Sequence, residues 1–295
     1  MKTEKKILFA FVLNLAFSIF EFIGGVFTGS VAIISDAVHD AGDAAGIGIA
    51  FFLERKSKKA PDEKYTYGYA RYSVVGGLIT VLILLVGSVY VIFSAAKRLI
   101  EPTDINYNGM IIFAVVGLFV NLLAAFLTHK GDSLNQKAVN LHMLEDVLGW
   151  LVVLAGAIVM RFTDISVLDP LMSVGVAVFI LVSAIKNLLK ILDVFLEKTP
   201  RGVNIGELKE HIIAIDEVLD VHHIHVWSMD GQSNYATMHV VTRDGSRTVK
   251  DKIREELKEH GICHVTLELE AEGEACCEEN CHVEARFSHS HHHGH

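Results

Sequence analysis

The sequence predicts an all-α membrane bundle of six helices, followed by a small cytoplasmic α+β domain. Hydrophobic residues make up 51% of the 295 residues without counting glycine, whereas soluble domains contain roughly 45–50% with glycine included. These residues form long runs in the first two-thirds of the chain, while the last third is acidic. We therefore expect a six-span membrane domain over residues 1–200, a globular domain over 201–270 and a flexible tail over 271–295.

The apolar runs have the length of membrane-spanning helices. A span needs about 20 mostly apolar residues. The first run is too long for the hydrophobic core of a signal peptide and carries Asn14 and Glu21, so no cleavable signal is evident. The six predicted spans are Ile7–Thr28, Val31–Leu53, Tyr72–Phe93, Met110–Leu127, Val139–Phe162 and Asp169–Ile191.

The distribution of lysine and arginine predicts the orientation of the bundle. Eleven of these residues lie in the N-terminal segment and in the connections after the second and fourth predicted spans, and three lie in the opposite connections. Basic residues favour the cytoplasmic side, so both termini should be cytoplasmic. We expect an integral multi-pass protein of a prokaryotic inner membrane. All four cysteines fall in the last third of the chain, where a cytoplasmic location would keep them reduced.

The segment after Pro200 predicts a two-layer α+β domain. A helix over Asn204–Ile215 precedes two strands, Leu219–Met229 and Asn234–Arg243, joined by an Asp230-Gly231 turn. A helix over Thr248–His260, ended by Gly261, leads to a third strand over Ile262–Glu270. The order α-β-β-α-β is typical of a small sheet covered by helices.

Two predicted spans carry histidine and aspartate at helical spacing. His39 and Asp43 are four residues apart, as are His142 and Asp146, so each helix presents an imidazole and a carboxylate on one face. Charged groups inside a bilayer cost several kcal/mol unless they are compensated. Two nitrogens and two oxygens would suit tetrahedral Zn²⁺, with Co²⁺, Ni²⁺ and Cd²⁺ as further candidates. A buried hydrogen-bonded pair would explain one such motif, but it explains two in separate spans less well.

Other polar residues flank these motifs. Asp36 lies near the face of His39 and could form a second shell or lie on the path into the site. Asp40 is expected to point away from the face of His39 and Asp43 and to have a structural role. Glu145 could act as a helix cap or as the partner of another polar group. Glu21 and Asn14 lie seven residues apart on one face of the first span. We expect them to form hydrogen bonds between helices rather than to take part in transport.

Five stretches of the sequence carry a resemblance to a known family: 29–43, Tyr67–Arg71, Asn140–Asp146, Asp169-Pro170 and Val221–Trp227. They resemble the cation diffusion facilitator family, and the resemblance covers about residues 1–270. Histidine in both membrane motifs is similar to the zinc-transporting branch of that family. The resemblance implies a homodimeric antiporter that exchanges a cytoplasmic metal ion for protons, with a metallochaperone-like cytoplasmic domain.

The resemblance also implies a second metal site in the cytoplasmic domain. It makes His222 and His239 the best candidates for a regulatory site, with Glu270 as a third ligand. Strand alternation places His223 and His225 on one face and His222 on the other. Ordinary surface histidines are the alternative interpretation.

The tail has the composition of a soft-metal collector. Its candidate ligands match no defined zinc-knuckle spacing, and a purification tag is the alternative for the terminal histidines, although Ser290 and Gly294 interrupt them. The candidates are Cys276, Cys277, Cys281, His282, His291, His292 and His293.

These patterns predict a proton-coupled metal transporter rather than an enzyme. Metal binding requires neutral imidazole and ionised carboxylate, so it displaces protons. His39 and His142 could therefore serve both as metal ligands and as proton carriers in an alternating-access cycle. The net charge of −9 disfavours nucleic acid as a partner, which leaves metal ions, protons, the bilayer and a second copy of the chain. A membrane metalloenzyme and a metal-sensing receptor are the rival interpretations. The first would need a nucleophile or a glycine-rich phosphate loop, and the second leaves the intramembrane pairs unexplained.

Overall fold

The structure is a computed structural model that describes residues 3–128, 134–243 and 245–274. The chain divides into two compact units, Met1–Ile191 and Leu192–His295. The first unit is helical. The helices that begin in it are α1 (Thr3–Thr28), α2 (Val31–Ser57), α3 (Arg71–Ile100), α4 (Tyr107–Thr128), α5 (Leu134–Thr163) and α6 (Leu168–Phe195).

The helical unit has the apolar surface expected of a membrane bundle. Within the described residues, three helical segments are long and apolar enough to span a bilayer: Arg71–Ile100, Asp146–Thr163 and Leu168–Phe195. Leu15–Thr28 and Tyr107–Leu123 are shorter apolar segments. Large side chains such as Phe27, Phe93 and Phe162 are exposed, and such surfaces are stable only against lipid or another apolar partner.

The turn between α1 and α2 fixes where the second helix begins. Gly29 has a φ of 73°, the left-handed conformation that commonly ends a helix. The Ser30 hydroxyl accepts a hydrogen bond from the Ile33 amide at 3.2 Å and caps α2. The Ser18 hydroxyl then donates to the Ala37 carbonyl at 2.9 Å, which ties α1 to α2 near the polar segment of α2.

A core between α4 and α5 is centred on Trp150. Met110, Ala114 and Met160 are fully buried beside it. Gly117 lets the two helices approach closely, because a Cβ there would lie only 2.4–2.8 Å from atoms of the Trp150 indole. Small residues at such crossings are typical of membrane helix packing.

The second unit is a three-stranded sheet with two helices. It contains α7 (Ile205–Ile213), β1 (Val218–Ser228), β2 (Asn234–Thr242), α8 (Arg247–Glu259) and β3 (Ile262–Glu270). The strand order is β1-β2-β3, with β1 antiparallel and β3 parallel to the central β2. The predicted order and the Gly261 helix stop are confirmed, since Gly261 has a φ of 73°.

Both helices share one apolar core with the sheet. Leu208 and Ile212 of α7 and Ile253 and Leu257 of α8 are fully buried together with alternate residues of β2 such as Met238. His239 has the opposite parity on β2, so it lies on the face of the sheet that the helices leave uncovered.

Candidate functional site

The polar residues of α2 gather around one point inside the helical unit. His39 Nε2 lies 3.5 Å from Asp43 Oδ2, as the spacing of four residues predicts. His39, Asp40 and Asp43 each offer a ligand atom, and these atoms lie within 4.8 Å of one another. Two ligand atoms about 2.0–2.2 Å from a tetrahedral zinc ion would be separated by roughly 3.3–3.6 Å, so the pair has a spacing that a single ion could bridge.

Asp40 belongs to this group, contrary to the expectation that it points elsewhere. It is buried and in electrostatic contact with Asp36 and Asp43. A helix advances about 100° per residue, which suggested separate faces for His39 and Asp40. The side chains are long enough to converge despite that angle, and the spacing of three between Asp40 and Asp43 was the signal that could have predicted it.

Two further helices bring carboxylates toward α2. Asp146 of α5 is near enough to Asp36 and Asp40 for a direct electrostatic interaction. Glu21 of α1 is fully buried and close to the carboxyl group of Asp40. Buried groups of the same sign that interact with one another require a proton or a cation to offset their charge. The cluster therefore joins α1, α2 and α5 around a position suited to positive charge.

The remaining predicted ligands of the membrane site are only partly described. His142 lies on α5, four residues before Asp146, but its side chain falls outside the described part of the structure, as do those of Glu145 and Asn14. His39 also borders a cavity between α2, α3 and α6, which is lined in addition by Ser35, Val38, Leu84, Gly87, Ser88, Val91, Ala177 and Ile180. The imidazole therefore faces free space as well as the carboxyl groups of its own helix.

Asp169 holds the beginning of α2, a role that the sequence did not reveal. Its carboxylate accepts hydrogen bonds from the Ser30 hydroxyl and from the Val31 and Ala32 amides, the latter two at 2.7 and 3.3 Å. Asp169 lies in the first turn of α6 and is almost completely buried. Because the free amides of a helix N-terminus favour an anion, this contact fixes the helix that bears His39 and Asp43.

The cytoplasmic candidates His222, His239 and Glu270 also come together. His222 and His239 are cross-strand partners on β1 and β2. Glu270 Oε1 lies 2.6 Å from His239 Nδ1, and Glu270 Oε2 lies 3.2 Å from His222 Nε2. The second contact lacks hydrogen-bond geometry, so within the described structure both of its buried atoms are left without a hydrogen-bond partner. Buried polar atoms that approach without bonding are suited to a shared cation.

A bulge in β1 changes the predicted faces of the neighbouring histidines. The β1–β2 register shifts between His222 and His225, and His223 adopts a φ of 53°. The His223 ring lies 4.6 Å from that of His239, measured between centroids. Simple alternation placed His223 on the other face from His222. That expectation was wrong, because a bulge inserts an extra residue and breaks the period of two.

The tail candidates lie beyond the described part of the chain. Cys276, Cys277, Cys281, His282, His291, His292 and His293 all follow residue 274, outside the described residues. Their role as a metal collector remains a prediction.

Comparison with known proteins gives two family matches. The model of the cation efflux transmembrane domain matches residues 7–196, and that of the cation efflux protein cytoplasmic domain, ZT_dimer, matches residues 200–272. A protein of Yersinia pestis named zinc transporter ZitB is 32% identical over 98% of this chain and 96% of its own length.

Two further relatives bear names that describe other metals or a coupled ion. A Bacillus subtilis protein named cadmium, cobalt and zinc/H(+)-K(+) antiporter is 30% identical over 91% of this chain and 89% of the relative. The metal cation efflux system protein CzcD of Cupriavidus metallidurans is 33% identical over 90% of this chain and 86% of the relative.

Proposed function

The chain belongs to the cation efflux family, and on that premise we propose that it exports a divalent metal ion, zinc foremost, from the cytoplasm. The observation that carries this proposal is the grouping of ligand atoms from His39, Asp40 and Asp43 within 4.8 Å on a helix of the membrane bundle. A cation passing through this point would offset the cost of placing several carboxyl groups inside a bilayer.

Imidazole in the ligand set favours zinc over harder ions. Carboxylates alone suit Mg²⁺ or Mn²⁺, whereas a mixed histidine and aspartate set suits Zn²⁺, Co²⁺ and Ni²⁺. We infer that His39, Asp43, His142 and Asp146 coordinate the transported ion, with Asp36 near the path to it. The names of the relatives, which include zinc, cadmium and cobalt, support the same range of substrates.

Proton exchange would follow from the chemistry of these ligands. A zinc ion binds neutral imidazole and ionised carboxylate, so its arrival displaces protons and its departure allows them to return. A site that alternates between the two sides of the membrane would therefore act as an antiporter. The proton in the name of the Bacillus subtilis relative supports this coupling.

We further propose the assembly and setting of the transporter. The ZT_dimer match supports a homodimer, and the bacterial relatives support a bacterial inner membrane. We infer that His222, His239 and Glu270 bind a regulatory metal ion in the cytoplasm. The chain acts as a carrier rather than an enzyme, which accords with the transporter names of its relatives.

The test is zinc flux in proteoliposomes with an imposed pH gradient and the membrane potential held at zero. Wild-type protein should move zinc in the direction opposite to the flow of protons down their gradient. Asp43→Ala and Asp146→Ala should each lower the initial rate roughly 100-fold, since changes near a metal already cost 10–100-fold in affinity or activity. Glu54→Gln, an exposed change on the same helix α2, should retain the wild-type rate.

Two outcomes would contradict the proposal. Zinc flux that does not respond to the pH gradient would exclude proton exchange. Absence of flux for zinc, cobalt and cadmium, from wild-type protein that elutes as a single folded species, would exclude a transport function and favour the sensor or metalloenzyme interpretation.

A further inference from the structure

A second group of metal-binding side chains lies on the helical layer of the cytoplasmic domain. His211 is in the last turn of α7, Glu256 is in the last turn of α8, and His260 follows directly as the C-terminal cap of α8. Their ligand atoms lie within 4.8 Å of one another. The group is separate from His222, His239 and Glu270, because β2 presents His239 on the face of the sheet that α7 and α8 leave uncovered.

The distances within this group are equal to or slightly shorter than the edges of one face of a coordination tetrahedron. His260 Nε2 lies 2.9 Å from His211 Nδ1, Glu256 Oε1 lies 3.1 Å from the same Nδ1, and Glu256 Oε1 lies 3.5 Å from His260 Nε2. Ligands about 2.0–2.2 Å from a tetrahedral zinc ion would be spaced by roughly 3.3–3.6 Å. Small side-chain rotations would therefore admit the ion among all three atoms.

The supporting structure holds the three ligands in place. Ile212 follows His211 and Leu257 follows Glu256, and both apolar side chains are buried in the domain core. Glu256 and His260 are also four residues apart, so they lie on one side of α8 and its cap. The ligands are thus carried by two packed helices and the cap of α8 rather than by a long loop, which lowers the cost of ordering them around an ion.

Electrostatics favour a cation at this position. Both imidazoles lie at the C-terminal ends of helices, where unpaired carbonyl groups create a partial negative charge. The Glu256 carboxylate adds a full negative charge. The side chains of His260 and Glu256 are 14% and 26% exposed, and that of His211 is 48% exposed. The site is therefore partly desolvated and remains open to solvent on the His211 side.

We propose that His211, Glu256 and His260 form a metal site for Zn²⁺ or a similar borderline ion, which clamps α7 to α8. Two imidazoles and one carboxylate are a ligand set that zinc uses with water in the fourth position. Three protein ligands and an open position give a binding site that can exchange its ion with the cytoplasm. This inference concerns a separate location and does not depend on transport through the membrane bundle.

The experiment uses the full-length protein in detergent micelles with buffered free zinc. Diethyl pyrocarbonate modifies the free ring nitrogen of histidine, and peptide mass spectrometry gives the rate at each position. Zinc should slow modification of His211 and His260 at least fivefold. The free zinc concentration that gives half of this protection, the zinc midpoint, should be the same for both residues. His264, exposed on β3, reports general effects of the ion. Asp43→Asn should preserve the protection, which separates this site from the transport site.

A matched pair of variants tests the ligand set. Glu256→Gln should raise the zinc midpoint at His260 at least tenfold, whereas Glu255→Gln, at the neighbouring exposed position of α8, should match the wild type. If His264 is modified at the wild-type rate in the absence of zinc, the variant is folded. Absence of protection at both histidines, or a wild-type midpoint in Glu256→Gln, would overturn the proposal and leave a proton-bridged contact between the helices.

Discussion

The carboxylate of Asp40 shares the ligand group of His39 and Asp43 and is itself buried. At this position the side chain either binds the transported ion or sets the charge around it. Both roles require an anion, so replacement by the neutral amide of similar size should disturb transport without disturbing packing. The effect of charge can thereby be separated from the effect of volume.

We predict that Asp40→Asn lowers the initial zinc flux about tenfold or more, in line with the effect of changes beside a metal. The measurement is the initial rate of zinc entry into proteoliposomes that contain a zinc indicator, under a fixed pH gradient. Glu54→Gln removes a carboxylate from an exposed position of the same helix and should leave the flux unchanged. If Asp40→Asn transports zinc at the wild-type rate, the buried carboxylate has only a structural role.

How far the sequence predicted the site depends on whether the contact is local. The pairing of His39 with Asp43 required only the helical repeat. The electrostatic interaction of Asp146 with Asp36 and Asp40 depends on how α5 approaches α2, although paired motifs on two spans suggested it. The group of His211 and His260 was not predicted, because 49 residues separate them and only tertiary packing brings them together.

At the scale of elements, Asp169 joins α6 to the start of α2. The carboxylate accepts from two α2 amides and from the Ser30 hydroxyl, and it does so in a buried environment. Removing it would leave those donors without their acceptor, which costs about 1–3 kcal/mol for a buried group. The Asp169-Pro170 motif was visible in the sequence, but its contact with α2 became apparent only in the fold.

We predict that Asp169→Ala destabilises the protein by about 1–3 kcal/mol, while Asp169→Asn, which keeps one acceptor oxygen, costs less. Thermal unfolding in detergent, followed by tryptophan fluorescence, should show a midpoint lowered by roughly 2–10 °C for the alanine variant. Asp104→Ala changes an exposed aspartate and should leave the midpoint within error. Equal midpoints for Asp169→Ala and the wild type would show that water replaces the cap without cost.

The crossing of α4 and α5 provides a test of helix packing. A Cβ at Gly117 would overlap the buried Trp150 indole, whereas a Cβ at Gly149 meets nothing within 4 Å among the described residues. Both glycines lie inside helices, so alanine adds about 1 kcal/mol of helix propensity at either position. The difference between the two variants therefore isolates the steric overlap.

We predict that Gly117→Ala is less stable than Gly149→Ala by about 1–3 kcal/mol, the usual cost of overpacking a core. Thermal unfolding midpoints and the yield of monodisperse protein from detergent extracts measure the difference. Gly149→Ala should match or exceed the wild type. A Gly117→Ala variant as stable as Gly149→Ala would mean that Trp150 can rotate away from α4 without penalty.

The limits of the predicted elements have a physical basis. The bounds of β3 were predicted to the residue, because Gly261 ends α8 and β3 starts one residue later. Helices α2 and α3 extend beyond their predicted spans, to Ser57 and Ile100, since hydropathy marks where lipid ends rather than where a helix ends. The face of His223 was mispredicted because a bulge is set by tertiary pairing.

At the scale of the whole molecule, charge asymmetry and fold make a joint prediction about topology. Eleven lysine and arginine residues lie in the N-terminal segment and in the connections after the second and fourth predicted spans, against three in the opposite connections. This bias should place the α2–α3 connection in the cytoplasm and the α3–α4 connection outside. Glu63 and Asp104 are exposed residues of these two connections, so they offer a matched pair of reporter positions.

We predict that, with the four native cysteines replaced by serine, Asp104→Cys reacts with a membrane-impermeant maleimide in intact cells. Glu63→Cys should react only after the membrane is permeabilised, because the basic residues around it favour the cytoplasmic side. With six spans, this pattern would also place the C-terminal domain in the cytoplasm, where its histidines could bind metal before export. The reverse pattern would place that domain outside and contradict a cytoplasmic regulatory site. Labelling of both positions in intact cells would instead show mixed insertion, and the charge bias would not determine topology.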